Sequence, residues 1–172
     1  FMATSCCPAW SMMAKKLFPE HADCISMALT PMTLTARLIK RHHSNAKVVF
    51  IGPCAAKKLE AMRTDIRSDV DFVLTFEEMD GIFDARHVDV EKIEEDPEGV
   101  NDASTDGRNF AVAGGVAKSV VDVIHQRYPD KEIKVANAEG LKECRKLLTM
   151  AKAGKYNGYL LEGMACPGGC VA

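Results

Sequence analysis

The sequence predicts an α/β fold, a mostly parallel sheet with flanking helices. Two observations carry the prediction. Short apolar runs, rich in β-branched and aromatic residues, recur along the chain and read as buried strands. Stretches with helical periodicity and recognisable caps lie between them, and that alternation marks a layered α/β architecture with parallel strands.

In chain order, Thr30-Pro31 supplies an N-cap followed by proline at the first helical position, opening a helix through about Arg41. His42 and His43 fall at its end and read as surface residues. Residues 47–51 (KVVFI) and 71–75 (DFVLT) read as strands. Thr75-Phe76-Glu77-Glu78 fits a capping box for a helix to about Arg86. The acidic stretch 87–108 holds Pro97, Gly99 and Gly107 and reads as a solvated surface excursion with one short helix. A strand is expected at 109–113 (NFAVA). A helix is expected over 116–128, with Val116, Val120, Val123 and Ile124 on one face. Residues 133–137 (IKVAN) read as a strand, 141–153 as a helix ending at the C-cap Gly154, and 159–162 (YLLE) as the last strand.

A chain of 172 residues makes one domain or two small lobes sharing a site. The apolar fraction of 47% supports an ordinary core. A net charge of -2 with no Lys/Arg-rich stretch argues against nucleic acid as a partner. No apolar run approaches the roughly 18 residues of a membrane span. No basic region followed by an apolar one opens the chain as a signal peptide would, so a cytoplasmic, reducing location is expected. Seven cysteines in such a place point to metal or redox chemistry rather than disulfides. Both ends lack a polar tail, so the chain reads as a fragment of a larger polypeptide.

Five of the seven cysteines sit in three clusters beside Pro, Gly or Ala: Thr4-Ser5-Cys6-Cys7-Pro8-Ala9-Trp10, Gly52-Pro53-Cys54-Ala55-Ala56-Lys57-Lys58-Leu59-Glu60, and Glu162-Gly163-Met164-Ala165-Cys166-Pro167-Gly168-Gly169-Cys170. Such neighbours leave uncluttered backbone around a thiolate held against a metal cluster. Successive side chains of an extended segment point to opposite faces, so one of Cys6 and Cys7 ligates and the other is a spare thiol. Cys54 follows the strand at 47–51, where loops of α/β folds carry ligands. Cys166 and Cys170 flank a Pro-Gly-Gly turn. One of Cys6/Cys7 with Cys54, Cys166 and Cys170 makes four thiolates, the usual complement of a cubane iron–sulfur cluster. Structural zinc is disfavoured because no CxxC knuckle is present. Cys24 and Cys144 lack such neighbours and read as buried core thiols. Trp10 reads as packing.

These clusters resemble the three signature motifs of the catalytic domain of iron-only (FeFe) hydrogenases. TSCCPxW matches residues 4–10. MPCxxKxxE matches residues 53–60 except at its first position. ExMACxxGCxxGG matches residues 162–170. Phe110-Ala111-Val112-Ala113-Gly114-Gly115-Val116 looks like the family's FGxTGGV segment. The resemblance implies a part of a two-lobed catalytic domain, with 1–46 in the first lobe and 47–172 in the second. It implies a four-iron four-sulfur cluster on Cys7, Cys54, Cys166 and Cys170, with Cys170 bridging to a di-iron unit carrying carbonyl, cyanide and dithiolate ligands. Cys6 would pass protons, Ser26 would relay them, Lys57 would donate to a cyanide ligand, and Phe110 and Met164 would pack around the di-iron unit. Heterolytic cleavage of dihydrogen needs a Lewis-acidic metal and a nearby base, and a thiol with an ordinary pKa of about 8.5 suits the second role. Lys58 reads as an exposed helix residue. Glu60 is equally well a partner to the site or an ordinary helix residue.

The implied activity is that of a ferredoxin-type hydrogenase of anaerobic metabolism. It would exchange dihydrogen for protons and electrons, with ferredoxin or an internal iron–sulfur domain as electron partner. The isolated fragment is expected to lack the di-iron unit and activity. Gly52 stands where the family usually has Met, and Thr30-Pro31-Met32 where many members have Ser-Pro-Gln. Both departures resemble branches that sense dihydrogen or act slowly. The alternatives are a sensory relative in a signalling protein, a hydrogenase-like iron–sulfur assembly protein without the di-iron unit, and a zinc module. The double cysteine counts against the assembly protein.

Overall fold

The computed structural model describes residues 1–94 and 102–171. In chain order the elements are β1 (Met2–Ala3), α1 (Pro8–Leu17), a 3-10 helix (Pro19–Cys24), α2 (Pro31–His42), β2 (Val49–Ile51), α3 (Ala56–Ala61), β3 (Phe72–Leu74) and α4 (Phe76–Ala85). A second 3-10 turn (Val90–Lys92), α5 (Thr105–Asn109), α6 (Gly115–Arg127), β4 (Lys134–Glu139), α7 (Leu141–Lys152) and β5 (Tyr159–Met164) complete the chain. They form two compact units, one of Phe1–Thr30 with Ser104–Ala172 and one of Pro31–Ala103. This division differs from the 1–46 and 47–172 lobes expected from sequence. In the first unit the chain's opening residues pair with its last strand, a long-range contact that motif order does not reveal.

The first unit is built on a three-stranded parallel sheet in the order β1-β5-β4. β5 is central, and residues 161–164 are buried for that reason. α7 lays Cys144, Leu147, Leu148 and Ala151 onto the sheet, an i, i+3, i+4, i+7 stripe. It stops where Gly154 takes φ 85. α1 starts with Pro8 at its first turn and buries Trp10 and Ala14. The Trp10 indole Nε1 donates to the Thr4 carbonyl at 3.0 Å. Its ring lies flat against Gly163, where an added Cβ would stand 2.3 Å from a ring carbon.

The second unit has a two-stranded parallel sheet, β2-β3. Met32 and Ala36 of α2 pack on Val70, with Val48, Phe50, Ala61 and Val73 around them. Asp71 holds the start of this sheet. Its carboxylate accepts from the Val48 amide at 2.8 Å and pairs with Lys40 and Lys47. The Lys40 ammonium and that amide hold the carboxyl well below its usual range. The capping box opening α4 is present: Thr75 Oγ1 accepts from the Glu78 amide, and the Glu78 carboxylate accepts from the Thr75 amide.

The expected elements at 47–51, 71–75, 133–137 and 159–162 and the helices opened by Thr30-Pro31, Thr75, Val116 and Leu141 are all present. Three readings need correction. The strands fall into two sheets rather than one. Residues 109–113 are not a strand: α5 ends at Asn109, and the Val112 amide turns back to the Asn109 carbonyl. Gly115 makes this turn possible, since a Cβ there would lie 1.9 Å from the Asn109 oxygen. The apolar face of α6 is buried only in its first turn; Val120 and Val123 are exposed. Pro97 and Gly99 of the acidic excursion lie outside the described residues.

Replacing Gly163 by Ala forces the indole and β5 apart. Gly163→Ala is expected to lower stability by about 1–3 kcal/mol, the usual cost of overpacking a tight core. Chemical denaturation followed by circular dichroism measures it, and an unchanged midpoint would mean that the ring slides aside freely.

Candidate functional site

Pairing of β1 with β5 delivers the first cysteine cluster to the third. The Thr4 amide donates to the Leu161 carbonyl at 2.9 Å, and the chain then leaves the sheet through Ser5 and Cys6. Cys7 has extended backbone (φ -88, ψ 109) at the N-cap of α1, yet its side chain makes no capping bond. Its sulfur instead accepts from the Ala165 amide at 3.4 Å, across 158 residues of sequence. Cys7 and Met164 are buried in one apolar cluster, and the half-buried Cys6, Phe110 and Ala165 pack against it. Four of the expected site residues of this unit therefore share one neighbourhood.

The third cluster is a loop held at several points. Gly168 and Gly169 take φ 78 and φ 94, conformations open to glycine. A Cβ on Gly169 would stand 2.3 Å from the Ala111 oxygen, so the loop backbone lies directly on the 111–113 turn. There the Cys170 amide donates to Ala111 at 2.7 Å, and the Ala113 amide donates to Gly168 at 3.1 Å. Cys166 and Cys170 are exposed at its two ends. The Glu139 carboxylate accepts from the Gly168 amide at 2.6 Å.

Glu162 is buried and accepts from the amides of Gly114 (2.8 Å) and Ala117 (2.6 Å), capping the start of α6. Burial pushes its carboxyl above the ordinary value, and these amides oppose that shift without cancelling it. Neither acid was singled out from sequence. Glu162 stood in the motif with no role, and nothing near Glu139 in sequence marks it.

Ser26 is tied to the first cluster's strand: its amide donates to the Ala3 carbonyl at 2.8 Å, and Ser5 Oγ donates to the Ala28 carbonyl at 3.0 Å. Its own hydroxyl accepts from the Ala28 amide at 3.1 Å. Cys144 is a core thiol as expected, fully buried, its sulfhydryl directed at the carbonyls of Ala138 and Met164. Burial, with the nearby Cys7, pushes its thiol up to about 11. Cys24 is only half-buried, because it ends a 3-10 helix with no fully buried residue.

The second cluster belongs to the other unit. Cys54 is half-buried between β2 and α3, and its carbonyl accepts from the Lys57 amide at 3.1 Å. Lys57 and Glu60 are buried, 7% and 2% exposed, and pair at 2.7 Å on successive turns of α3. Glu60 also accepts from the fully buried Thr33 hydroxyl of α2 at 3.2 Å. Glu60 is therefore a partner of Lys57 and not a surface helix residue. Lys58, expected to be exposed, is half-buried and pairs with Glu78. At Gly52 the Phe50 ring stands 2.9 Å from where a Cβ would be.

The profile of the family described as "Iron only hydrogenase large subunit, C-terminal domain" matches residues 1–172. The chain belongs to this family. The periplasmic Fe hydrogenase large subunit of Nitratidesulfovibrio vulgaris is 29% identical, over 98% of this chain and 49% of its own length. The nuclear prelamin A recognition factor of Xenopus laevis is 26% identical, over 99% of this chain and 47% of its own. The chain thus spans about half the length of these curated relatives. A solved FeFe-hydrogenase structure superposes with a TM-score of 0.76 at 23% identity, covering 99% of this chain and 59% of that one. At such identity the likeness speaks for the fold alone.

The residue types of this hydrogenase-family chain fit an iron–sulfur group. All seven cysteines are thiols in no disulfide, and soft thiolates are the usual ligands of such clusters. Thr4 Oγ1, in the first motif, is buried with no hydrogen-bond partner. That costs about 1–3 kcal/mol, and an acceptor supplied by a bound group would relieve it. Among the described residues, however, no three His, Cys, Asp or Glu side chains are gathered closely enough to hold a metal ion. Cys54 follows one sheet while Cys166 and Cys170 follow the other. The one mostly parallel sheet expected from sequence therefore does not carry all of these cysteines.

Removing Glu60 strands a buried ammonium. Glu60→Ala is expected to destabilise the chain by about 3–5 kcal/mol, and the double change Lys57→Met with Glu60→Leu by clearly less. Equal losses in urea unfolding would show that the pair is not coupled. Glu162 predicts a pH dependence. Its folded pKa is raised, so its contribution to stability is complete below its ordinary value near 4.5 and is lost as pH rises through the folded value. Stability measured from pH 4 to 8 should carry this falling component in the wild type and lack it in Glu162→Gln.

Proposed function

We propose that this chain is the cluster-bearing part of an iron-only hydrogenase that interconverts dihydrogen with protons and electrons. The observation that carries the reading is the bond from the Ala165 amide to the Cys7 sulfur. It joins the first and third motifs, and it leaves Cys6 as the other thiol of the pair.

In this reading Cys7, Cys54, Cys166 and Cys170 would hold a four-iron four-sulfur cluster, and Cys170 would also link it to a di-iron unit with carbonyl, cyanide and dithiolate ligands. That group would supply a Lewis-acidic metal for dihydrogen. The chain does the rest. Cys6 holds and releases the proton, and Ser26, tied to the same strand, relays it. Lys57, held by Glu60, would donate from its ammonium to a cyanide ligand. Met164 and Phe110 exclude water. The electron partner is ferredoxin or an iron–sulfur domain of the same polypeptide.

Among the described residues no helix is long and apolar enough to cross a membrane. A cytoplasmic location is supported by seven unpaired-by-disulfide thiols, although one relative is periplasmic by name. A second reading, iron–sulfur assembly without the di-iron unit, is favoured by relatives such as the cytosolic iron–sulfur assembly component 3 of Rattus norvegicus, 26% identical.

The test is a side-by-side assay of iron content, infrared carbonyl and cyanide bands and dihydrogen evolution in the matured full-length protein. Cys7→Ala and Cys54→Ser should abolish the cubane cluster, while Cys24→Ser and Cys144→Ser retain it. Cys6→Ala should keep the iron and slow turnover roughly 10²–10⁴-fold, and Cys6→Asp should recover part of it. Full activity in Cys6→Ala would remove its proton role. A cubane cluster with no carbonyl or cyanide bands would favour the assembly reading.

A further inference from the structure

Glu139 lies outside all three motifs, at the last position of β4 and in register with Met164 of β5. Its backbone is pinned there, because the next amide, Gly140, donates to the Met164 carbonyl at 2.8 Å. From this anchor its carboxylate reaches the Gly168 amide at 2.6 Å. Gly168 is midway between Cys166 and Cys170, and its carbonyl is taken by the Ala113 amide on the other side. The loop is thus gripped at one residue from two directions, by an edge strand's carboxylate and by the 111–113 turn. A bond from an amide to an ionised carboxylate is stronger than one between neutral groups. The charge also acts at a distance. Burial is the main reason that Cys144 and Glu162 titrate high, and the Glu139 carboxylate adds to both shifts.

We propose that Glu139 is a positioning residue of the cysteine loop: by clasping the Gly168 amide it fixes Cys166 relative to Cys170 and sets a negative charge beside the cluster they hold. The inference rests on the proposed iron–sulfur function for its second half, the charge beside the cluster, and on geometry alone for its first. A carboxylate near a cluster penalises the more negative, reduced state and so lowers its potential.

The experiment compares Glu139→Gln and Glu139→Ala with the wild-type full-length protein after loading with iron and sulfide. Three readouts are taken: Gly168 amide exchange, the cluster's midpoint potential from its electron paramagnetic resonance signal, and the rate of iron release to a chelator. Glu139→Gln keeps an acceptor oxygen and loses the charge. It should retain Gly168 protection and full iron, and its potential should shift positive. Glu139→Ala should lose the protection, shift the potential in the same direction and release iron about tenfold faster. Unchanged potential and release rate in both variants would overturn the proposal, as would retained Gly168 protection in Glu139→Ala. A wild-type protein that takes up no cubane cluster would overturn the functional reading instead, and the exchange measurement would still decide the clasp.

Discussion

The first unit depends on β5 being a central strand. Leu161 is paired on one edge with Ala3 and on the other with Ala136, and the first and third motifs inherit their positions from that double pairing. Because β1 runs parallel to it, the chain leaves the sheet at Cys6 and Cys7 on the same end at which β5 delivers Cys166. Parallel strands require a long crossover, and here the whole intervening chain supplies it. The first and third motifs are neighbours because two residues of β-pairing close a loop of more than 150 residues. A substitution that weakens β1 therefore acts on the site without touching it.

Polar groups buried in the two units are satisfied in different ways. In the second unit Lys57, Glu60 and Thr33 form a local network in which each buried charge has a partner. In the first, Glu162 has amides rather than a cation to accept from, so its charge is stabilised by backbone dipoles at a helix start. The consequence is an asymmetry. The ammonium and carboxylate of the second unit depend on each other, whereas the acid of the first rests on amides alone and burial holds its carboxyl above the ordinary value.

Much of this was legible in the sequence where local chemistry decides. Thr30-Pro31, the Thr75 box and the Gly154 stop each act within a few residues, and the elements begin or end there. The motif cysteines were legible because glycine and proline cluster around them for steric reasons. What was not legible depends on contacts distant in sequence. Met2–Ala3 is too short to show a strand pattern. The 109–113 run has strand composition, but Gly115 lets the backbone fold onto Asn109. Val120 and Val123 follow the periodicity of a buried face that no neighbouring element covers among the described residues. The division of the strands into two sheets, and the reach of Glu139 to Gly168, have no local signature at all.

The stacking of Trp10 on Gly163 has an optical consequence. The chain contains a single tryptophan, and it is fully buried at the seam where the first motif's helix meets the third motif's strand. Indole emission thus comes entirely from that seam. The protein carries a built-in fluorophore whose colour and intensity follow the docking of α1 on β5, and whose light an iron–sulfur chromophore held by Cys7 would quench.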